Sequence, residues 1–260
     1  MSKKTPPRRV FGIAVDLLTL EEAAAAICEE CVSTTSFKYV VTPNIDHVVN
    51  LRTNAKFRRA YSQAAYALAD GWPVVAACRM LRHPVPERVA GSDLVPAVLA
   101  HADRLGLPLA VFVLGGLGDV PERAADHIRR NYPSLKVVGA YSPPIGFEKD
   151  AAQSSAIVSM INKAQANFII LGLGAPKQEN WIHDHSALLD PGVAICAGAT
   201  VDFMAGNVRR APPWMAKVGL EWLHRLTSDP RRLFGRYAKD AVVFPLMFLQ
   251  EAWRFHRRDS

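Results

Sequence analysis

The sequence predicts an α/β fold: a Rossmann-like, mostly parallel sheet with helices on both faces, followed by a helical, basic C-terminal appendage. Three observations carry this. Near-continuous apolar runs such as "LAVFVLGG" and "FIILGLG" alternate with amphipathic stretches such as "PERAADHIRRNY", as buried parallel strands alternate with the helices that cover them. Several apolar runs end in glycine or polar residues, at the strand ends where open α/β sheets bind their ligands. The alternation then stops near "RRAPPW" (Arg209 to Trp214), and a basic, helical segment follows. The predicted division is a catalytic core of residues 1–206 and an appendage of residues 207–260.

The elements follow in order. "TLEEAAAAICEEC" reads as an Ala-rich helix, "FKYVVT" as a strand and "DHVVNLRTNAKFRRAYSQA" as helical. "YALAD" is a strand that stops at Asp70-Gly71, a pair that suits a turn, and "PVVAACRML" resumes as helix. "SDLVPAVLAHADRLG" is a helix with Ser92 as the expected N-cap, and "PERAADHIRRNY" is a helix opened by Asp119. "LKVVGAY", "AAQSSAIVSMINKA", "FIILGLG", "PKQENWIHDHSALL" and "VAICAGA" continue as strand, helix, strand, helix and strand. There is no internal repeat and no low-complexity tract.

Half of the residues are hydrophobic and 21% are charged, a globular balance. Disorder is expected only over the first eight residues, "MSKKTPPR", which lack the pattern of a secretory signal, so a cytoplasmic location is expected. No run reaches the roughly 18 apolar residues of a membrane span. The best candidate, "AVVFPLMFL" (Ala241 to Leu249), is too short and holds Pro245, so it can lie on a membrane but not cross it.

The net charge of +7 is lopsided: residues 207–260 carry 11 Lys/Arg against 5 Asp/Glu, leaving a net of +1 for the rest. Trp214, Trp222 and Trp253 lie in the same segment. Basic residues mixed with Trp, Phe and Leu suit an anionic bilayer face, which would also take Phe244, Leu246, Met247, Phe248 and Leu249. Packing on a partner subunit is the alternative, and nucleic acid is not expected.

Cys28 and Cys31 form a C-x-x-C inside the Ala-rich helix, with no second pair at zinc-finger spacing. They are expected to be packing residues. The "HDH" at His183 to His185 lies within a helix, where residues two apart face different ways, so it is expected at the surface rather than on a metal.

Four strand ends draw attention. "VVTPNIDH" supplies Thr42, Asn44 and Asp46, "LADG" supplies Asp70, "VLGGLGD" supplies Gly115 and Gly116, and "LGLGAPKQE" supplies Gly172, Gly174, Lys177, Gln178 and Glu179. Together they suggest a polar cleft lined by backbone N–H groups at helix starts, which suits a phosphate-bearing ligand. No P-loop motif is present, and the third glycine of a dinucleotide fingerprint is replaced by Lys177. No D-x-D occurs to hold a metal on a diphosphate. Arginine is the substitute cation, with planar donors that match phosphate oxygens. Arg225, Arg231, Arg232 and Arg236 in "LHRLTSDPRRLFGRY" are available for a diphosphate or, equally, for lipid headgroups.

The stretches "TPNIDH", "ADGWPVV", "PERVAGSD", "GLGAPKQE", "VDFMAGNVRRAPPW" and "GLEWLHRLTSDPRR", in this order between about Phe11 and Tyr237, resemble the WecB/TagA/CpsF family of bacterial glycosyltransferases (glycosyltransferase family 26). The resemblance implies an inverting, metal-independent enzyme that needs no cofactor. It would move N-acetylmannosamine, its uronic acid or glucose from a UDP-sugar to a polyprenyl-diphosphate-linked saccharide at the inner face of the cytoplasmic membrane. The products would feed teichoic acid, common antigen or exopolysaccharide synthesis. It further implies Asp70 as general base and Thr42, Asn44 and Gln178 in the pocket. Arg88, Asp93, Gly115, Gly116, Gly174, Glu179 and Asp202 join them as substrate-binding candidates. Arg225, Arg232 and Arg236 would hold the diphosphate as the appendage closes over the site and meets the membrane.

Two positions depart from the family pattern: Cys196-Ala197-Gly198-Ala199 where relatives often read G-V-G-A, and Gly235 where relatives can carry a basic residue. A homo-oligomer is compatible with the apolar tail. The competing readings are an NAD-dependent nucleotide-sugar epimerase or dehydrogenase, and a non-catalytic membrane-associated adaptor.

Overall fold

A computed structural model of the chain describes residues 9–208, 211–212, 215, 221–228 and 230–259. A small antiparallel pair, β1 (Arg9–Val10) and β2 (Ile13–Ala14), precedes α1 (Leu20–Ser33). Thr19 starts α1 through a reciprocal capping box with Glu22, which satisfies two of the orphan N–H donors. Cys28 and Cys31 are buried free thiols in α1, as expected of packing residues, and burial pushes the Cys28 thiol up to about 11.

The main sheet follows from β3 (Phe37–Val41), β4 (Tyr66–Ala67), β5 (Ala110–Gly115), β6 (Lys136–Tyr141), β7 (Phe168–Gly172) and β8 (Gly192–Cys196). The strand order is β4-β3-β8-β7-β5-β6, and every pairing is parallel. Helices cover both faces. On one side lie α2 (Ile45–Leu51), α3 (Ala55–Gln63), α4 (Trp72–Met80), α7 (Ala151–Lys163) and α8 (Lys177–His185). On the other lie α1, α5 (Gly91–Leu105), α6 (Val120–Asn131) and α9 (Thr200–Met204). The predicted α/β class and parallel sheet are therefore observed.

Local chemistry moved several boundaries. The single helix expected after β3 is two, because Asn54 turns extended and caps α3 by accepting from the Phe57 N–H. The strand expected over "YALAD" pairs in register only at Tyr66–Ala67, although the Leu68 N–H still reaches Val41 O. Ser92 is not an N-cap: the extended residue is Ala90 and the helix already begins at Gly91. The approach there is close, since a Cβ on Gly91 would sit 3.2 Å from Ala197 Cα. Asp119 does precede α6, but with ψ near 4° its side chain makes no cap bond. It pairs with Arg123 instead, at 3.2 Å.

Beyond α9 come α10 (Glu221–Ser228) and the 30-residue α11 (Pro230–Asp259), with Pro245 inside it. Helix α11 packs on α2 and is two-faced. Phe244, Met247, Phe248, Ala252 and Phe255 pack on the core, with the Phe244 ring 5.5 Å from Phe11. Val242, Leu246, Leu249 and Trp253, spaced four, three and four apart, form an exposed stripe. The expectation that the whole apolar run seeks an outside surface is thus corrected: Phe244, Met247 and Phe248 already have their partners in the chain. Among the described residues no helix is long and apolar enough to cross a membrane.

The two faces separate by mutation. Phe248→Ala should lower unfolding free energy by about 2 kcal/mol, the partly buried version of a core truncation. Leu249→Ser should leave it within about 0.5 kcal/mol. Urea titration of both variants checks this, and equal effects would contradict the packing.

Candidate active site

The strand carboxyl ends lie along one edge of the sheet, and the backbone explains what meets there. The Asp70 N–H donates to Pro43 O at 2.9 Å, which sets Asp70 beside the Thr42–Asn44 turn. Asn44 caps α2 by accepting from the His47 N–H at 3.1 Å, and Thr42 is buried. Gly71 follows with φ +90°, a conformation that favours glycine, and this lets the chain turn from Asp70 into α4.

Arg88 arrives from the next loop. The Val89 N–H bonds Ala69 O at 2.9 Å, while Arg79 donates to Val85 O and Pro86 O, so the loop is pinned on both sides. The Arg88 guanidinium then stands between two carboxylates, 3.5 Å from Asp70 Oδ1 and 2.9 Å from Asp93 Oδ2. All three side chains keep partial solvent access, 15 to 26%. Asp70 and the Arg88–Asp93 pair thus form one charged row.

A glycine-lined stretch lies further along the edge. Gly115 stands opposite Gly172 in the β5–β7 register, and the Gly116 N–H reaches Gly172 O. A Cβ on Gly115 would meet Gly172 backbone at 2.5 Å, and its φ is +123°. Gly115→Ala is therefore expected to cost roughly 3 kcal/mol from backbone strain and overpacking combined. A thermal melt within a degree of the native protein would contradict this close approach. From β4 to β5 there are four strand spacings, about 19 Å, so a ligand touching both Asp70 and Gly115 must be extended.

Between them, Gly174 turns with φ +77° before the cis Ala175–Pro176 bond and the start of α8. Gln178 is buried and accepts from the Gly198 N–H at 3.2 Å. Glu179, expected in the substrate pocket, is fully buried and accepts from Gln178 Nε2 at 2.9 Å. Burial raises its carboxyl to about 7, despite the opposing hydrogen bond from Gln178. Asp202 accepts from Asn207 Nδ2 at 3.2 Å, and Arg123 donates to Ala205 O and Asn207 Oδ1. These contacts fix the exit from the core.

Two contacts had no sequence motif behind them. Ser142 Oγ donates to Gly116 O, tying the β6 end to the glycine turn. Lys177 faces Glu148 at 3.9 Å. The polar "YSPP" after β6 was the available signal for the first. The side chains of Arg225, Arg232 and Arg236 lie outside the described residues.

His183 and His185 serve packing. His183 Nδ1 contacts the Tyr39 hydroxyl, and His185 stacks on Trp181 and bonds its carbonyl. Among the described residues no set of His, Cys, Asp or Glu could hold a metal ion. A cleft of about 360 Å³ floored by Phe37 and Tyr39, between Arg59 and His183, opens at the other end of β3, away from the charged row.

A carboxylate and a guanidinium at one strand end, with glycine turns feeding helix starts along the same edge, stand where open α/β sheets place their ligand sites. The comparison with known sequences gives the class: the chain is a glycosyltransferase. It belongs to the glycosyl transferase WecG/TagA/CpsF family, whose model matches residues 8–258. It is similar to the N-acetylglucosaminyldiphosphoundecaprenol N-acetyl-beta-D-mannosaminyltransferase of Bacillus spizizenii, at 30% identity over 75% of this chain and 72% of the relative. The Staphylococcus aureus protein of the same name is 29% identical over 75% of this chain and 74% of its own length.

Proposed function

We propose that the protein transfers a sugar from a UDP-sugar to a polyprenyl-diphosphate-linked saccharide, with inversion and without a metal, at the inner face of the cytoplasmic membrane. The relatives' names favour N-acetylmannosamine as the sugar and a lipid-linked N-acetylglucosamine as the acceptor. The observation that carries the mechanism is Asp70, held at a strand carboxyl end beside Arg88.

In this reading Asp70 takes the proton of the acceptor hydroxyl while that oxygen attacks the anomeric carbon. The bond from that carbon to the diphosphate oxygen breaks, and its electron pair leaves with UDP. A carboxylate is a weak base for an alcohol, so proton transfer accompanies attack. Arg88, 3.5 Å away, orients Asp70. Charge on the leaving diphosphate is met by N–H groups at helix starts and by the appendage arginines Arg225, Arg232 and Arg236. The exposed stripe of α11 and the stacked pair Trp253–Arg257, 3.8 Å apart, supply apolar and basic contacts for a bilayer surface.

The test is a panel of UDP-sugars offered with a short polyprenyl-diphosphate N-acetylglucosamine in detergent, with products weighed by mass spectrometry. A gain of one N-acetylhexosamine from one donor, insensitive to chelator, is expected. No gain with any donor, or a nicotinamide-dependent absorbance change instead, would refute the proposal.

A further inference from the structure

Helix α8 begins with two polar side chains that the fold closes off from solvent, Gln178 at 2% exposure and Glu179 at 0%. Their hydrogen bonds form a relay. The Gly198 N–H donates to Gln178 Oε1, and Gln178 Nε2 donates to Glu179 Oε1. A primary amide has one acceptor oxygen and a donor nitrogen. With the oxygen taken by Gly198, the nitrogen side requires an acceptor, and Glu179 provides it.

The second carboxylate oxygen, Glu179 Oε2, is buried and finds no hydrogen-bond partner among the described residues. The titratable groups that bear on Glu179 are Asp46 from α2, Tyr61 from α3 and Cys196 from β8. Asp70 acts on the same Tyr61. These three groups are acidic, and the buried imidazole of His47, next to Asp46 on α2, stands 2.6 Å from the Tyr61 hydroxyl. An orphaned acid oxygen in such surroundings is costly for packing alone, which points to a use.

We propose that Glu179 is a proton-linked positioning residue: ionised, it holds the Gln178 amide with its oxygen on Gly198, and protonated, its O–H takes that oxygen and frees the Gly198 N–H for an anionic ligand. The inference rests on the reading of the crevice as the site of a nucleoside-diphosphate donor. Gly198 lies in the turn between β8 and α9, with φ +55°, and its amide is committed to Gln178 in the arrangement observed. An ionised Glu179 can only accept, which enforces that arrangement. A neutral Glu179 can donate, the amide turns over, and the Gly198 N–H becomes available. A phosphate-bearing ligand favours the neutral form twice, by accepting from that N–H and by repelling a buried anion. Donor binding therefore takes up a proton. Glu179 touches no reacting atom in this scheme and acts through Gln178 and Gly198.

Two measurements on the full-length protein separate this inference from the donor reading. In the ligand-free protein, the Gly198 backbone amide and the Gln178 side-chain amide are followed by 15N NMR from pH 5.5 to 8.5. Both should titrate together with a midpoint near 7 in wild type and stay flat in Glu179→Gln, an isosteric variant that keeps an acceptor for Gln178. UDP binding is then measured calorimetrically in buffers of differing ionisation heat. Wild type should take up more protons than Glu179→Gln at pH 7.5, and its affinity should fall by up to tenfold per pH unit above the midpoint, with a weaker dependence in the variant. A Gly198 resonance that does not titrate, or titrates equally in Glu179→Gln, overturns the relay. So does UDP binding with the same proton uptake in both proteins. If UDP does not bind wild type at all, the donor reading is what fails, and the NMR titration by itself still decides whether the relay exists.

Discussion

Asp70→Asn should lower kcat by about 10²–10⁴-fold, the usual worth of a general base, while leaving the melting temperature and UDP affinity close to wild type. Three contacts support this separation. The Asp70 backbone N–H bonds Pro43 O whatever the side chain, so the turn survives. An asparagine oxygen can still accept from Arg88, and Arg88 keeps its 2.9 Å bond to Asp93. The 3.5 Å pair that is weakened is partly exposed, and such pairs contribute at most about 1 kcal/mol. The variant therefore loses a proton acceptor while these contacts remain. Single-turnover assays with lipid-linked acceptor, alongside a thermal melt, give the answer. Near-normal turnover from a folded Asp70→Asn protein would assign the base to another group.

The fold was legible because its signal is periodic and local. Apolar runs of strand length separated by amphipathic helices leave few options, and "FIILGLG" can hardly be anything but a buried strand. The strand-end residues Thr42, Asn44, Asp70, Gly115, Gly116 and Gly174 were legible for the same reason, since the ends of the runs are visible as changes in composition. What escaped depends on contacts far apart in the chain. That the loop after α4 is pinned to Ala69, and so delivers Arg88 to Asp70, cannot be read from either segment alone. Ser92 looked like a cap because Ser starts helices. The helix instead begins two residues after Val89, which is tied to Ala69, and Gly91 packs close to Ala197.

Helix α11 illustrates the same limit. Its apolar residues are dense enough that spacing does not reveal which face meets the core. Phe244, Met247 and Phe248 turned inward, while Leu246 and Leu249 stayed outside. The family motif drew attention to Gln178 and Glu179 together, but only tertiary packing distinguishes a side chain that can meet a ligand from one sealed behind it. Glu179 belongs to the second kind.

That sealed carboxyl gives the second large expectation, a pH-dependent stability difference between wild type and Glu179→Gln. Burial lifts the Glu179 carboxyl from an ordinary value of 4.5 to about 7 in the folded protein. Below pH 4.5 both folded and unfolded chains hold the proton, and the residue contributes no slope. Between 4.5 and 7 the unfolded chain releases its proton while the native state keeps it, so stability falls as pH rises. Above 7 both states are ionised and the loss is complete. The gap between the two values corresponds to roughly 3 kcal/mol. Glutamine cannot ionise, so Glu179→Gln should match wild type near pH 4.5 and exceed it by up to that amount at pH 8, measured by urea unfolding across the range. Parallel stability curves for the two proteins would show that Glu179 is neither desolvated nor uncompensated. A side chain that weakens the fold above pH 7, yet sits two hydrogen bonds behind a strand-end turn, is better explained by its effect on a bound ligand than by any contribution to packing.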